Sequence, residues 1–156
     1  VMILILALPS GWLADRIGRK RLVALSGIVA AAGAAVIVAT STLPVMFIGG
    51  ALIGMATGTF FTTNWALGTD LVPKDKAGRY LGISNLAGAG AGAVGGYIGG
   101  PIADYLTARV PQTPGVGYML IFAIYGVLFL VSALVLRAVR EDWQSTAEHT
   151  PAAPAA

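Results

Sequence analysis

The chain has no cysteine and a single histidine among its 156 residues. Without cysteine there are no disulfides and no thiolate metal sites. The one histidine, His149, lies in a polar tail. A histidine-based metal cluster is therefore excluded, and a Ser-His-Asp triad is disfavoured. Charge is also scarce, at 11% of residues, where a soluble domain carries about 25%. That is too little to coat a water-facing surface. Asp70 and Asp104 flank apolar blocks, and no acid lies at the centre of one. With no buried His, Cys or paired carboxylates, general acid–base chemistry lacks its groups. The expectation is a protein that is not an enzyme and holds no metal or cofactor. The net charge of +3 is spread over short clusters rather than one patch, so nucleic acid is not an expected partner.

Apolar residues make up 56% of the chain, and the mean hydropathy is +0.79. They fall in long blocks, which points to lipid as the solvent. The expected fold class is all-α and integral to the membrane. A helix needs about 20 apolar residues to cross the hydrocarbon, and four stretches qualify: about 22–40, 45–67, 80–103 and 118–136. Val1 to Leu8 is too short to span and reads as the end of a truncated preceding helix. A signal peptide would need a basic segment before it and a small-residue cleavage site after it. The spans and loops up to residue 140 form one expected domain. Residues 141–156 form a polar, low-complexity tail, expected to be disordered and similar to a natural C-terminus.

Lysine and arginine set the expected orientation. Arg16, Arg19, Lys20 and Arg21 precede the first span. Lys74, Lys76 and Arg79 separate the second from the third, and Arg137 and Arg140 follow the fourth. If all four stretches span, these nine lie on one side and only Arg109 on the other. The basic loops and the C-terminus are expected to be cytoplasmic, in a multi-pass protein of the plasma membrane.

Glycines recur at steps of four: Gly50, Gly54 and Gly58 in the second span, and Gly88, Gly92, Gly96 and Gly100 in the third. Such spacing keeps small residues on nearly one face, where helix backbones approach closely in lipid. Gly90 to Gly95 also matches G-x-G-x-x-G, but the run before it is helical rather than a strand, so helix packing is favoured over nucleotide binding.

The most specific segment runs from Gly11 through Leu13, Asp15, Arg16, Gly18, Arg19 and Lys20 to Leu22. Gly18 permits a positive φ in a tight turn. Asp15 suits a helix N-terminus. Arg16, Arg19 and Lys20 suit an anchor at the membrane surface, or pairing with acids on neighbouring helices. The segment resembles the signature loop of the major facilitator superfamily, G-x-L-x-D-R-x-G-R-K-x-L, at every defined position. The resemblance implies a fold of two six-helix bundles that bind a small solute between them and work by alternating access. This chain would then be a fragment of the C-terminal bundle, helices nine to twelve after the end of helix eight. Helices three to six are the competing assignment. The partners implied are the lipid bilayer, the missing N-terminal six-helix half and the solute. Gly11, Asp15, Arg16, Gly18, Arg19, Lys20, Asp70 and Arg79 would form a cytoplasmic gate. Asp70 would pair with Arg19 or Arg16, or would be a solvated carboxylate at a helix end. Gly99-Gly100-Pro101 resembles the Gly-Pro element of the fifth or eleventh helix.

Polar groups at membrane depth usually face the bundle interior, which marks Thr62, Asn64, Trp65 and Asn85 as candidates for a solute pathway. Trp65 suits either sugar stacking or an interfacial belt. Asn64 and Asn85 suit either interhelix hydrogen bonds or ligand contact. The string from Asn64 to Pro73, with Tyr80 to Asn85, looks like the sugar:cation symporter branch, akin to glycoside-pentoside-hexuronide carriers. Coupling to H+ or Na+ and facilitated diffusion both stay open. The alternative to transport is a stand-alone truncated membrane protein, a structural or partner-binding module that associates through its glycine faces.

Overall fold

A computed structural model describes residues 2–72 and 74–138. Six α-helices follow one another: α1 (Met2–Ile17), α2 (Arg19–Val38), α3 (Leu43–Leu71), α4 (Ala77–Val94), α5 (Gly100–Arg109) and α6 (Val116–Arg137). A short 3-10 turn, Lys74–Lys76, precedes α4, and a π-helical segment, Gly95–Gly99, joins α4 to α5. No strand occurs among the described residues. This is the all-α architecture expected from the apolar blocks. Among the described residues, three helices are long and apolar enough to cross a membrane: Arg19–Val38, Leu43–Thr69 and Val116–Arg137.

The observed helices extend most of the expected spans, although α2 ends at Val38, two residues short of the expected end. α1 does not stop at Leu8 but runs to Ile17, carrying Pro9 inside it. α2 starts at Arg19 rather than Leu22. The expected basic loop therefore shrinks to one residue, Gly18. Its neighbours on both sides are helical because a single positive-φ glycine suffices to reverse the chain. α3 continues past Leu67 to Leu71. It ends there because Val72 precedes Pro73 and takes the extended conformation that a following proline imposes, with φ −102° and ψ 131°. The stretch 80–103 is helical throughout but is divided among α4, the π segment and α5. Arg79, Ser84, Asn85 and the glycines of α4 lower its hydropathy, so it is not among the three strongly apolar helices. The tail 141–156, with His149, lies outside the described residues, as does Arg140.

α2 is the middle of the assembly. It packs between α3 and α6, α1 lies against α3, and α5 lies against α6. The sequence of α2 suits that place. Ala30, Ala31, Gly33 and Ala34 are all buried, and their small side chains let a helix approach on either side. On the α3 side, a Cβ added to Gly33 would stand 2.7 Å from the Gly49 carbonyl oxygen. One added to Gly49 would stand 2.6 Å from Ile37 Cγ1. On the α6 side, a Cβ on Gly27 would meet the Phe129 carbonyl oxygen at 3.2 Å. α5 and α6 close most tightly of all, with Gly117 directly over the Ala103 carbonyl group.

Only part of the set that the four-residue steps single out is buried. Gly50 meets nothing within 4 Å, and neither do Gly88, Gly92, Gly96 and Gly100. Gly58 is buried and Gly54 half-buried. α4 buries none of its residues. The exterior is apolar nearly everywhere: Phe47 is 71% exposed, Leu86 74% and Tyr97 85%. Such a surface is unstable in water and suits lipid or further helices.

The Gly33–Gly49 approach sets a test. Gly49→Leu overpacks the α2–α3 crossing, and the expected loss is about 1–3 kcal/mol. Gly50→Leu, one residue away and facing open space, should change stability by less than about 0.5 kcal/mol. Unfolding of each variant in detergent against a denaturant series measures the contrast.

Candidate functional site: the basic end of the bundle

Gly18 links α1 to α2 with φ 91° and ψ 136°. Only glycine adopts this region readily, so the expected positive φ is observed. The Gly18 N–H donates to the Ala14 carbonyl at 3.0 Å, and the Leu22 N–H donates to the Gly18 carbonyl at 3.1 Å. The turn thus hands the hydrogen-bond ladder of one helix directly to the next. Gly11 lies within α1 with open space where its Cβ would be.

The cations around this turn reach back to the helices that end beside it. The Arg19 guanidinium donates from Nη1 to the Ala66 carbonyl oxygen in the last turns of α3, at 3.3 Å. Lys20 Nζ donates to the carbonyl of Arg137, the last residue of α6, at 3.3 Å. Carbonyls near a helix C-terminus carry partial negative charge and attract cations. Two residues of one turn therefore bind the start of α2 to the ends of α3 and α6. The Lys20–Arg137 contact also places the C-terminal end of α6 on the same side as the turn.

Other roles expected of this segment take a different form. Arg16 stacks its guanidinium over the Trp12 ring at 4.2 Å, a cation–π contact one helical turn apart. Asp15 makes no capping hydrogen bond to α2, whose N-terminus has no side-chain cap. Its carboxylate instead stands 4.0 Å from Arg19 Nη2, with the two side chains 74% and 35% exposed. An ion pair so open to solvent contributes little. The Asp70 side chain, the expected partner of Arg19 or Arg16, lies outside the described residues. Its backbone belongs to α3, four residues beyond Ala66 and therefore at the same end. Arg79 stands exposed in the first turn of α4.

Of the candidate solute residues, Thr62, Asn64 and Trp65 lie on α3 and Asn85 on α4. Thr62 is half-buried and spends its hydroxyl on the Gly58 carbonyl of its own helix, at 3.0 Å. Asn64 is half-buried, Trp65 is exposed, and Asn85 stands exposed on α4. None of the four lines the cavity of about 400 Å³ bordered by α2, α3 and α6. That cavity is walled by Val23, Ala56, Phe60, Phe61, Leu128 and Phe129, among others. Two of its hydroxyls bond carbonyls of their own helices, Ser26 to Val23 and Thr57 to Ile53, each at 2.7 Å. Sequence reasoning missed Thr63. It is 1% exposed, and its hydroxyl has no hydrogen-bond partner among the described residues. No motif marks it, although it repeats at seven residues from Gly49 and Ala56, both buried on α3.

The match to known proteins agrees with this turn. The family model of the Major Facilitator Superfamily covers residues 1–156. The chain belongs to the major facilitator superfamily. It is similar to the minor myo-inositol transporter IolF of Bacillus subtilis, with 34% identity over 88 residues. That match covers 56% of this chain and 20% of IolF. The glucose transporter GlcP of Staphylococcus epidermidis is 35% identical over 77 residues, 49% of this chain and 17% of GlcP. An uncharacterized MFS-type transporter of Mycobacterium tuberculosis is 30% identical over 105 residues, 67% of this chain and 15% of that protein. The matched part of this chain thus spans a fifth or less of these relatives' length. No solved structure matches it significantly.

Gly18→Ala forces a side chain into a conformation reserved for glycine, and the expected cost is about 1–3 kcal/mol. Asp15→Asn removes only a solvated pair, and the expected change is below about 0.5 kcal/mol. Thermal unfolding of the two variants side by side checks the ranking.

Proposed function

We propose that this chain is part of a secondary transporter that moves a small solute, a sugar or polyol, across the plasma membrane by alternating access. The observation that carries the reading is the Gly18 turn, whose Arg19 and Lys20 hold α2 to the ends of α3 and α6. A turn that ties three helices at one end makes them move as one body, as rocking between two bundles requires. The Lys20–Arg137 contact is exposed and the Arg19–Ala66 contact part-buried, and such polar contacts can break and reform as helices move. In this reading Asp15, Arg16, Arg19, Lys20, Asp70 and Arg79 form the cytoplasmic gate, with the basic loops and the C-terminus inside the cell.

The solute class rests on two supports. Two of the similar proteins bear the names of a myo-inositol and a glucose transporter. Asn64, Asn85 and Trp65 have the hydrogen-bonding and stacking chemistry that a hydroxyl-rich ring needs. Asn64 and Trp65 lie on α3 and Asn85 on α4, and in this reading another half completes the pathway. The exposed faces of α4, with Gly88, Gly92, Gly96 and Gly100 meeting nothing within 4 Å, suit helices of that missing half. Residues 80–103 then form the fourth span. A proton or sodium ion, if coupled, would be held by groups of the other half. Lipid and solute are the proposed partners, and nucleic acid is not.

The chain alone, reconstituted in liposomes, should show no saturable uptake of inositol or glucose. Joined to a complementing N-terminal half, it should transport. There Arg19→Glu should lower uptake at least about tenfold, and adding Asp70→Arg should restore part of it. Unrestored uptake in the double variant removes the Arg19–Asp70 pair from the gate. Saturable uptake by the chain alone removes the two-half pathway.

A further inference from the structure

A groove of about 600 Å³ opens at the basic end of the bundle, between the start of α2 and the end of α6. Its rim carries three cations, Lys20, Arg21 and Arg137, and no acid lines it among the described residues. Below the rim its wall is aliphatic, formed by Ala24, Leu25, Ile28 and Leu136. Ala24, Leu25 and Ile28 lie on successive turns of α2, a helix long and apolar enough to span. The groove therefore runs from a cationic rim down along the membrane-crossing surface. Leu25 and Ile28 are exposed, 46% and 47%, so the wall is open to the side where lipid would lie.

Two halves of different chemistry adjoin in one site. The rim suits a phosphate oxygen, which guanidinium groups and an ammonium bind by charge-assisted hydrogen bonds. The first turn of α2 also starts at the rim, where the helix dipole adds positive potential. The aliphatic wall suits a hydrocarbon chain and offers a sugar or a free anion nothing. A molecule with a phosphate at one end and an acyl chain below it meets both demands.

We propose that this groove binds an anionic phospholipid, its phosphate among Lys20, Arg21 and Arg137 and one acyl chain along Ala24, Leu25, Ile28 and Leu136. The inference needs α2 and α6 to cross the bilayer but does not depend on which solute is carried. Lys20 already donates to the Arg137 carbonyl. Arg21 and Arg137 line the same groove beside that contact. The lipid would then sit where Lys20 joins α2 to α6, and its headgroup would reinforce that joint.

The test is native mass spectrometry of the full chain in detergent, titrated with phosphatidylglycerol or with phosphatidylethanolamine of matched acyl chains. Each exposed cation near a membrane surface favours anionic lipid several-fold, so retention of phosphatidylglycerol should exceed that of phosphatidylethanolamine at least about tenfold. The triple variant Lys20→Gln, Arg21→Gln, Arg137→Gln should erase the preference. Lys74→Gln, Lys76→Gln, Arg79→Gln removes the same charge elsewhere and should keep it. Ala24→Phe fills the aliphatic wall without touching a cation and should lower retention of phosphatidylglycerol about tenfold. Equal retention of the two lipids overturns the proposal, as does equal loss in the two charge variants. If Ala24→Phe has no effect, or if millimolar inorganic phosphate displaces the lipid as well as excess lipid does, no acyl chain occupies the groove and the site is not a lipid site. A failure of solute transport leaves these readings unaffected, so the two proposals fail separately.

Discussion

Helices surrounded by hydrocarbon gain nothing from hiding leucine, so they associate where their backbones can come close. That constraint explains most of the packing here. The α2–α3 crossing is built on Gly33 against Gly49, and α5 meets α6 with Gly117 over the Ala103 carbonyl. At both places a methyl group would collide with backbone, which has no rotamer to escape into. The larger apolar side chains point outward instead, as Phe47 and Leu86 do, where a soluble protein would bury them.

The end of the bundle with the Gly18 turn obeys a second rule. Close packing by small residues holds helices at their crossings but leaves their ends unconstrained. Arg19 and Lys20 supply that constraint by donating to carbonyls of α3 and α6. These bonds to backbone dipoles stand beside the Arg19–Asp15 ion pair. Lys20, with Arg21 and Arg137, also gives the bundle a positive rim above an aliphatic groove. The proposed gate and the proposed lipid groove would share Lys20.

The stretch through α4 and α5 shows how glycine serves two ends. Gly95 and Gly99 lie in the π segment beside the Tyr125 hydroxyl of α6, at 3.1 Å and 3.6 Å from where their Cβ atoms would be. A π segment in a long helix shifts the register of the faces on either side of it. α5 is thereby turned onto α6, where the Gly117 N–H finds the Thr107 hydroxyl and Tyr118 bonds Asp104. α4 is left with its glycines exposed.

The membrane class, the all-α fold and the superfamily were legible in the residues. Apolar block length depends on bilayer thickness alone, and the defined positions from Gly11 to Leu22 are dense enough to be specific. The positive φ at Gly18 was legible too, because a tight turn there leaves glycine no competitor. Tertiary structure alone decided which glycines touch. The four-residue step marks a face of a helix but not the neighbour it meets, and Gly49 rather than Gly50 faces α2. It also decided that Lys20 reaches α6, 117 positions away in the chain, and that Thr62 turns its hydroxyl to its own helix while Thr63 is buried. Those outcomes depend on how helices are rotated about their axes, and no local pattern encodes a rotation that is fixed only when the partners arrive.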